Sequence, residues 1–352
     1  KDIFLESHGE DAIAVGRLLD IRWFEGEPTT RFDCRAQPLV GLGKECLCIG
    51  SFTKRIFRVT ENGWEYEGDP KHILRWLDIV GMQDAKTVTS PGVKEQILES
   101  DENPLSQEDH SLYRTGVCIL LYAASDKSDL KHAVKEVMRD ASAPTELSMR
   151  RLLRIIRYAR GARRLVNSID WQTVVTIVEA MVDADHVGCL TSRNSTSGGS
   201  NRVSKAYIFD YSVTQSAVAL SSGESEFLAM VAGILEVLYV ANIMRTMGFR
   251  VDHLKIYSDS SAARGIIGRL GVGKKAKHIC TKNLLVQNLT DEGIVTVLSV
   301  PTLTNVADLF TKYLTGDRIR FLLGLMGAYI VPVANGEKAN SQEGFLRESD
   351  CL

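Results

Sequence analysis

TVVTIVEAMVD, residues 173–183, is a β-branched and apolar run that ends on the acidic residue Asp183. Such a run is typical of a buried strand. Downstream, the pattern predicts two short strands, a long helix, a fourth strand, a helix start, a fifth strand and a final helix. These elements are predicted at Tyr207–Phe209, Ala217–Leu220, Glu224–Gly248, Leu254–Tyr257, Ser260, Ile294–Val300 and Asn305. Strands followed by alternating helices and strands predict an α/β domain with flanking helices.

Four acidic residues fall at the ends of these elements. Asp183 and Asp259 each end a predicted strand, whereas Glu226 and Asp308 each lie in the first turn of a predicted helix. Strand ends and helix starts can meet at one edge of an α/β sheet. Carboxylates gathered there repel one another unless cations neutralise them, and oxygen ligands alone favour Mg²⁺ or Mn²⁺. Two such ions can hydrolyse a phosphodiester. Each acid taken singly is also explained by helix capping or a turn.

The segment VALSSGESEF, residues 218–227, resembles the V-A-L-S-S-x-E-A-E-Y signature of copia-type ribonuclease H domains. Other segments follow the order and spacing of the same family: VDAD at 182–185, STSGG at 195–199, YSDSSA at 257–262, KHI at 277–279 and VADLFTK at 306–312. The resemblance implies a ribonuclease H-like, mixed five-stranded sheet that cleaves the RNA strand of RNA–DNA hybrids with two Mg²⁺ or Mn²⁺ ions.

Site residues follow from the same resemblance. Asp183 and Asp259 are expected to hold both metal ions, with Glu226 supporting one ion and Asp308 completing the second. Comparison with the wider ribonuclease H superfamily selects Asp183 over Asp185 and Glu226 over Glu224. The alternative is a catalytically inactive retroelement relic that at most binds nucleic acid. Mg²⁺-dependent turnover distinguishes the two, whereas nucleic-acid binding alone does not.

The resemblance extends to the start of the chain. Segments at 64–66, 71–73 and 89–91 are similar to the end of a reverse transcriptase domain, and segments at 110–121 and 157–161 to the connection that follows it. The expected domains are a truncated reverse transcriptase part with palm and thumb-connection elements (1–95), a helical connection (96–168), the ribonuclease H-like domain (169–325) and a flexible tail (326–352). The expected partners are the remaining polyprotein domains, namely the polymerase fingers and palm and the integrase.

The sequence HGED, residues 8–11, takes the place of the polymerase Y-x-D-D box. Glu10 replaces the first aspartate and only Asp11 is retained, so the box is degenerate. A longer side chain displaces a metal ligand, and small displacements are costly in catalysis. The fingers and early palm would precede Lys1. Reverse transcriptase activity is therefore not expected from this chain.

Basic residues form two groups in a chain whose net charge is −2. Arg150, Arg154 and Arg157 lie on one stripe of a helix that starts near Pro144, and Lys274, Lys275 and Lys277 follow a predicted helix. Both groups are candidates for contacting the phosphates of a nucleic acid, and a solvated surface is the alternative for each.

Two features of the sequence, its cysteines and its longest apolar stretch, bear on the cellular compartment of the protein. The seven cysteines form no C-x-x-C pair, which indicates a reducing, intracellular setting with most thiols in the core. The apolar stretch near Phe321 to Ala334 is shorter than the ~20 residues that a membrane helix needs. We expect a protein of the cytoplasm, the nucleus or both, with no membrane partner.

Overall fold

The structure is a computed structural model that describes residues 3–8, 11–29, 36–94, 99–188, 192–269, 271 and 284–331. The first elements are β1 (Ile3–His8), β2 (Asp11–Gly16), α1 (Leu18–Thr29), β3 (Ile49–Phe52), β4 (Arg55–Thr60), β5 (Gly63–Gly68) and α2 (Lys71–Ile79). Then come α3 (Gln107–Ala123), α4 (Lys131–Arg139), α5 (Glu146–Gly161), β6 (Arg164–Asp170), β7 (Ile177–Ala184), β8 (Thr196–Val203) and β9 (Ala206–Thr214). The last are α6 (Ser222–Thr246), β10 (His253–Ser258), α7 (Ser261–Ile267), α8 (Leu285–Asp291), β11 (Thr296–Ser299), α9 (Gly316–Met326) and β12 (Ala328–Val331).

One sheet carries the candidate site and has the strand order β11-β10-β7-β8-β9. Strand β10 is parallel to β7 and β11, while β7, β8 and β9 form an antiparallel meander. Helix α6 packs along this sheet through Phe227, Met230, Ile234 and Val237, all of which are fully buried. The predicted α/β class and the five-stranded mixed sheet are confirmed.

The second strand of this sheet differs from the prediction. Residues 217–220, predicted as a strand, lie in the loop that leads to α6, and β8 takes the place in the sheet. The sequence of β8, TSGGSNRV, has no apolar run, so hydrophobic periodicity gives no sign of it. Small residues are needed there because a Cβ added to Gly198 would lie 2.7 Å from Phe310, and one added to Gly199 would lie 2.4 Å from the Tyr211 ring.

The segment predicted as the final helix is also different. Asn305 does cap a helix, since its side chain accepts a hydrogen bond from the Ala307 backbone N–H, but that helix is a short 3₁₀ turn, Val306–Phe310. The regular helix α9 follows it and ends at Gly327, whose left-handed φ of 78° favours glycine.

A second sheet crosses the predicted domain boundaries. Its strand order is β12-β6-β5-β4-β3, so strands from the predicted polymerase part, connection and tail pair side by side. The predicted hairpin around Asn62-Gly63 is formed by β4 and β5. Strand β12 shows that the predicted flexible tail does not begin at residue 326, because Ala328–Val331 pair with β6. Residues 332–352 lie outside the described residues.

Helices α2, α3, α4 and α5 pack together around an apolar core of their own. Trp76, Tyr113, Leu120, Leu152 and Ile156 are all buried in it. The helices predicted after Pro70 and Pro144 are present as α2 and α5, and the Thr145 side chain caps α5. The region predicted to be a helical connection is therefore helical from Gln107 to Gly161 apart from its turns.

By length and composition alone, α6 could cross a membrane: it has 25 residues and a mean hydropathy of 2.0 in its most apolar window. It is the one helix of this kind among the described residues. Its buried residues pack against β7, β8 and β10, and 44% of that window is buried inside the protein. One such helix is weak evidence for a membrane span. The sequence predicts this helix but places the longest apolar stretch at 321–334.

The described cysteines do not match the expectation of buried, reduced thiols. Cys46 and Cys118 are free, and Cys118 is exposed. Cys48 is disulfide-bonded. The other four cysteines lie outside the described residues, and the compartment stays a prediction from the sequence.

The buried carboxylate of Glu67 holds the second sheet together, and we predict that Arg164→Met destabilises the protein. Glu67 is 0% exposed, accepts two hydrogen bonds of 2.8 Å from Arg164 and also pairs with Arg58. Leaving this charge with one partner is expected to lower the free energy of unfolding by about 3 kcal/mol, measured in urea.

A matched control is Arg320→Met, which removes an exposed pair with Asp317 and is expected to cost less than about 1 kcal/mol. Replacing Glu67 and Arg164 together by methionine should recover part of the loss. An unchanged urea midpoint for Arg164→Met would refute the role assigned to the pair.

Candidate metal centre

Three of the four predicted acids meet at one edge of the first sheet. Strands β7 and β10 pair in parallel with Met181 opposite Tyr257, so Asp183 and Asp259, each two residues further on, occupy matching positions. Glu226 reaches the same place from α6, one turn inside the helix rather than in its first turn as predicted. One carboxylate oxygen from each of the three residues lies within 4.8 Å of the others.

Burial and mutual repulsion make this cluster unstable in its fully charged form. Burial raises the pKa of Asp183 to about 6, opposed by nearby Lys312 and Thr311. Burial, and then the negative charges of Asp183 and Asp259, raise the pKa of Glu226 to about 8. Both shifts show that the site favours added positive charge, whether a proton or a metal ion.

The same residues fit a hard divalent cation. All three ligands are carboxylates, the donor type that Mg²⁺ and Mn²⁺ prefer. The Oε2 atom of Glu226 is buried and has no hydrogen-bond partner, although buried carboxylate oxygens are normally satisfied. A cation bound by Asp183, Glu226 and Asp259 would satisfy this atom.

The fourth predicted acid, Asp308, is not part of the three-residue group. It lies on the 3₁₀ turn and is buried, with its two carboxylate oxygens bound to Lys312 and Arg318. It nevertheless borders the cluster, because the Lys312 ammonium group also lies 3.2 Å from Asp183. Lys312 thus neutralises both Asp183 and Asp308.

Neighbouring polar groups hold the ligands in place. The Thr302 hydroxyl donates a 2.8 Å hydrogen bond to Asp259, and the Thr311 hydroxyl donates to Asp183. The Gln215 amide bridges β8 and α6 by donating to the Ser197 hydroxyl, at 2.9 Å, and to the Ser225 carbonyl, at 2.8 Å. Thr311 stands inside the recognised 306–312 segment, whereas no sequence signal indicates Thr302 or Gln215.

Asp185 and Glu224, the acids two residues from Asp183 and Glu226, make different contacts from those two residues. Asp185 accepts a hydrogen bond from the Thr196 backbone N–H, and Glu224 accepts one of 2.8 Å from the Leu220 backbone N–H. Both carboxylates therefore order loops beside the site. The cluster contains Asp183 and Glu226, the members chosen from the sequence.

The arginine stripe of α5 is engaged within the protein. Arg150 pairs with Asp101 at 2.8 Å, Arg154 donates to the Ser90 hydroxyl at 3.3 Å, and Arg157 donates to the Lys86 carbonyl at 2.8 Å. These contacts fasten the segment between α2 and α3 onto α5. They favour a structural role over the phosphate-contacting role considered from the sequence.

The remaining predicted site residues lie largely outside the described residues. Lys274, Lys275, Lys277 and Glu10 are among them. Asp11 is described, and it begins β2, an exposed strand paired antiparallel with β1.

Comparison with known proteins finds that this chain is similar to Pol polyproteins of plant transposons. The chain is 26% identical over 338 residues to the retrovirus-related Pol polyprotein of transposon TNT 1-94 from Nicotiana tabacum, covering 93% of this chain and 24% of that protein. It is 26% identical over 263 residues to the Pol polyprotein of transposon RE1 from Arabidopsis thaliana, covering 74% of this chain and 18% of that protein. The chain is a homologue of plant transposon Pol polyproteins.

The chain spans about a quarter or less of the length of these Pol polyproteins. No protein-family model matches it. Solved structures that are similar include ribonuclease H1 from Halobacterium salinarum, 16% identical, covering 38% of this chain and 94% of that one at a TM-score of 0.28. LC11-RNase H1, in complex with an RNA/DNA hybrid, is 12% identical and covers 38% of this chain and 93% of that one, also at 0.28.

We predict that the metal-free protein loses stability as the pH rises from 6 to 8. The folded-state pKa of Glu226, about 8, lies above its ordinary value of 4.5, so the folded state holds the proton more tightly. The resulting stability is fully present below pH ~4.5 and is lost as the pH rises through 8, with a slope of at most about 1.4 kcal/mol per pH unit.

The measurement is urea unfolding in EDTA across this range. Glu226→Gln should flatten the pH dependence, and Glu224→Gln, two residues away and outside the cluster, should keep the wild-type profile. Equal slopes for wild type and Glu226→Gln would contradict the assignment.

For the arginine stripe, we predict that Arg154→Ala with Arg157→Ala lowers stability without weakening nucleic-acid binding. The double variant loses two hydrogen bonds to the segment at 86–90 and should cost about 1–2 kcal/mol. Fluorescence anisotropy with an RNA–DNA hybrid should give a Kd within about twofold of wild type. A large rise in Kd would restore the phosphate-contacting interpretation, and a Lys274, Lys275 and Lys277 triple alanine variant tests the other basic group.

Proposed function

We propose that this chain is the ribonuclease H part of a copia-type Pol polyprotein and hydrolyses the RNA strand of RNA–DNA hybrids with two Mg²⁺ or Mn²⁺ ions. The observation that carries the proposal is the convergence of Asp183, Glu226 and Asp259 at the end of two parallel strands, with a buried Glu226 oxygen that lacks a partner. The 218–227 segment and the Pol homologues supply the choice of substrate.

The chain's own residues have separate tasks in this reaction. Asp183 and Asp259 would contact both cations, Glu226 would support the first, and Asp308 would complete the second. Divalent cations in such a site activate a water and stabilise the leaving oxygen of the phosphodiester. Thr302 and Thr311 keep Asp259 and Asp183 oriented by donating hydrogen bonds to them. Selectivity for the hybrid comes from its shape and from the 2′-hydroxyl groups of the RNA strand.

The proposal includes the chain's context. Its partners are the hybrid and the other Pol domains, the polymerase fingers and palm and the integrase, and its compartment is the cytoplasm or nucleus, without a membrane partner. Reverse transcription is not proposed for this chain because Glu10 replaces the first aspartate of the polymerase box and only Asp11 is retained.

The test is cleavage of a labelled RNA–DNA hybrid with Mg²⁺ or Mn²⁺. Wild type should cut the RNA strand and leave DNA duplexes intact, and Asp259→Asn should lower the rate by on the order of 10²-fold or more, because a charged ligand is lost. Glu226→Gln should behave like Asp259→Asn.

The matched control is Glu224→Gln, which changes an acid two residues from Glu226 that orders the Leu220 loop instead. It should retain most of the activity. A folded wild-type protein that cleaves no hybrid with either metal would reject the enzyme and leave a catalytically inactive relic.

A further inference from the structure

The ammonium group of Lys312 lies between two carboxylates that come from different elements. Its Nζ atom is 3.2 Å from both oxygens of Asp183 and also binds Oδ1 of Asp308. Lys312 stands four residues after Asp308, so the end of the 3₁₀ turn brings the ammonium group back over the Asp308 side chain. A positive charge thus occupies the space shared by Asp183 and Asp308.

Arg318 fixes the other oxygen of Asp308. One guanidinium nitrogen, Nη2, donates to Asp308 Oδ2 and to the Thr302 carbonyl, both at 3.1 Å, and Nη1 donates to the Leu303 carbonyl. The guanidinium also lies 5.5 Å from the ring centre of Phe321. Arg318 is therefore held from several sides, and Asp308 keeps its position when its bond to Lys312 is broken.

The Lys312 and Arg318 side chains differ in how easily each can move away from Asp308. The Lys312 side chain is 40% exposed and ends a flexible four-carbon stem, whereas the Arg318 side chain is 22% exposed and makes the contacts above. Rotation of the Lys312 stem would free Asp308 Oδ1 and the adjacent side of Asp183 together. Of the three grouped acids, Lys312 forms its ion pair with Asp183, and no ion pair joins it to Glu226 or Asp259 among the described residues.

We propose that Lys312 is an internal counter-ion that occupies the second cation position, so that the second divalent ion binds only when Lys312 withdraws. Arg318 acts as a positioning residue that keeps Asp308 in place during the exchange. The proposal rests on the proposed function and adds an order of occupancy: the group of Asp183, Glu226 and Asp259 binds first, and the pair of Asp183 and Asp308 binds second. An ammonium group and a divalent ion cannot share one space between two carboxylates, and their repulsion at this distance is strong.

The test counts bound Mn²⁺ by electron paramagnetic resonance in the full chain without nucleic acid. Wild type should bind one ion tightly and a second weakly. Lys312→Met should strengthen the second site by about tenfold or more, because the competing charge is gone, and leave the first site within a fewfold of wild type. Lys312→Arg keeps a positive charge and should leave the second site weak.

Two further variants complete the experiment. Lys205→Met removes an exposed lysine in the turn between β8 and β9 and should bind Mn²⁺ as wild type does. Asp259→Asn should weaken the first site. Circular dichroism of each variant checks that the fold is kept.

The outcomes separate this proposal from the nuclease itself. Two equally tight ions in wild type, or a second site that Lys312→Met does not strengthen, overturns the counter-ion while the metal centre stands. If no variant binds Mn²⁺ at all, both the counter-ion and the metal-dependent nuclease are rejected. If the Lys312→Met variant cleaves the hybrid but binds Mn²⁺ as wild type does, the counter-ion role of Lys312 is overturned and the nuclease proposal stands.

Discussion

The parallel pairing of β7 with β10 is the constraint on which the rest of the site depends. Neighbouring parallel strands in register place residues of equal depth side by side, and here those residues are Asp183 and Asp259. Bringing two carboxylates together at a buried edge costs free energy, which the surroundings must offset. Lys312 and the Thr302 and Thr311 hydroxyls offset that juxtaposition, and the two charges add to the effect of burial in raising the pKa of Glu226.

The sequence predicts this part of the molecule well because the information is local. A β-branched run ending on Asp183, an acid closing the next parallel strand and an acid near the start of a long helix point to the three clustered acids without tertiary data. The sequence groups Asp308 with them because it follows Asn305 at a predicted helix start. In the structure Asp308 lies on a 3₁₀ turn and pairs with Lys312 and Arg318, contacts that no periodicity reveals.

Elsewhere the sequence falls short for identifiable reasons. Strand β8 consists mostly of small and polar residues because Phe310 and Tyr211 lie close to its backbone at Gly198 and Gly199. The strand is therefore buried without showing an apolar pattern in the sequence. The second sheet joins strands that are far apart in sequence, and such pairing follows from packing rather than local preference. Helical spacing places the arginines of α5 on one basic stripe. Their partners, Asp101, Ser90 and the Lys86 carbonyl, are distant in sequence, so the pattern cannot predict these contacts.

Strand β12 covers one side of β6, and this affects where the chain can be shortened at its C-terminal end. The boundary expected from the sequence, residue 325, would cut the chain before Ala328 and leave the backbone N–H and C=O groups of β6 unpaired on that side. An uncovered strand edge is a template for pairing with another molecule. A fragment trimmed at that boundary would therefore be prone to self-association and precipitation during purification, whatever the state of its metal centre.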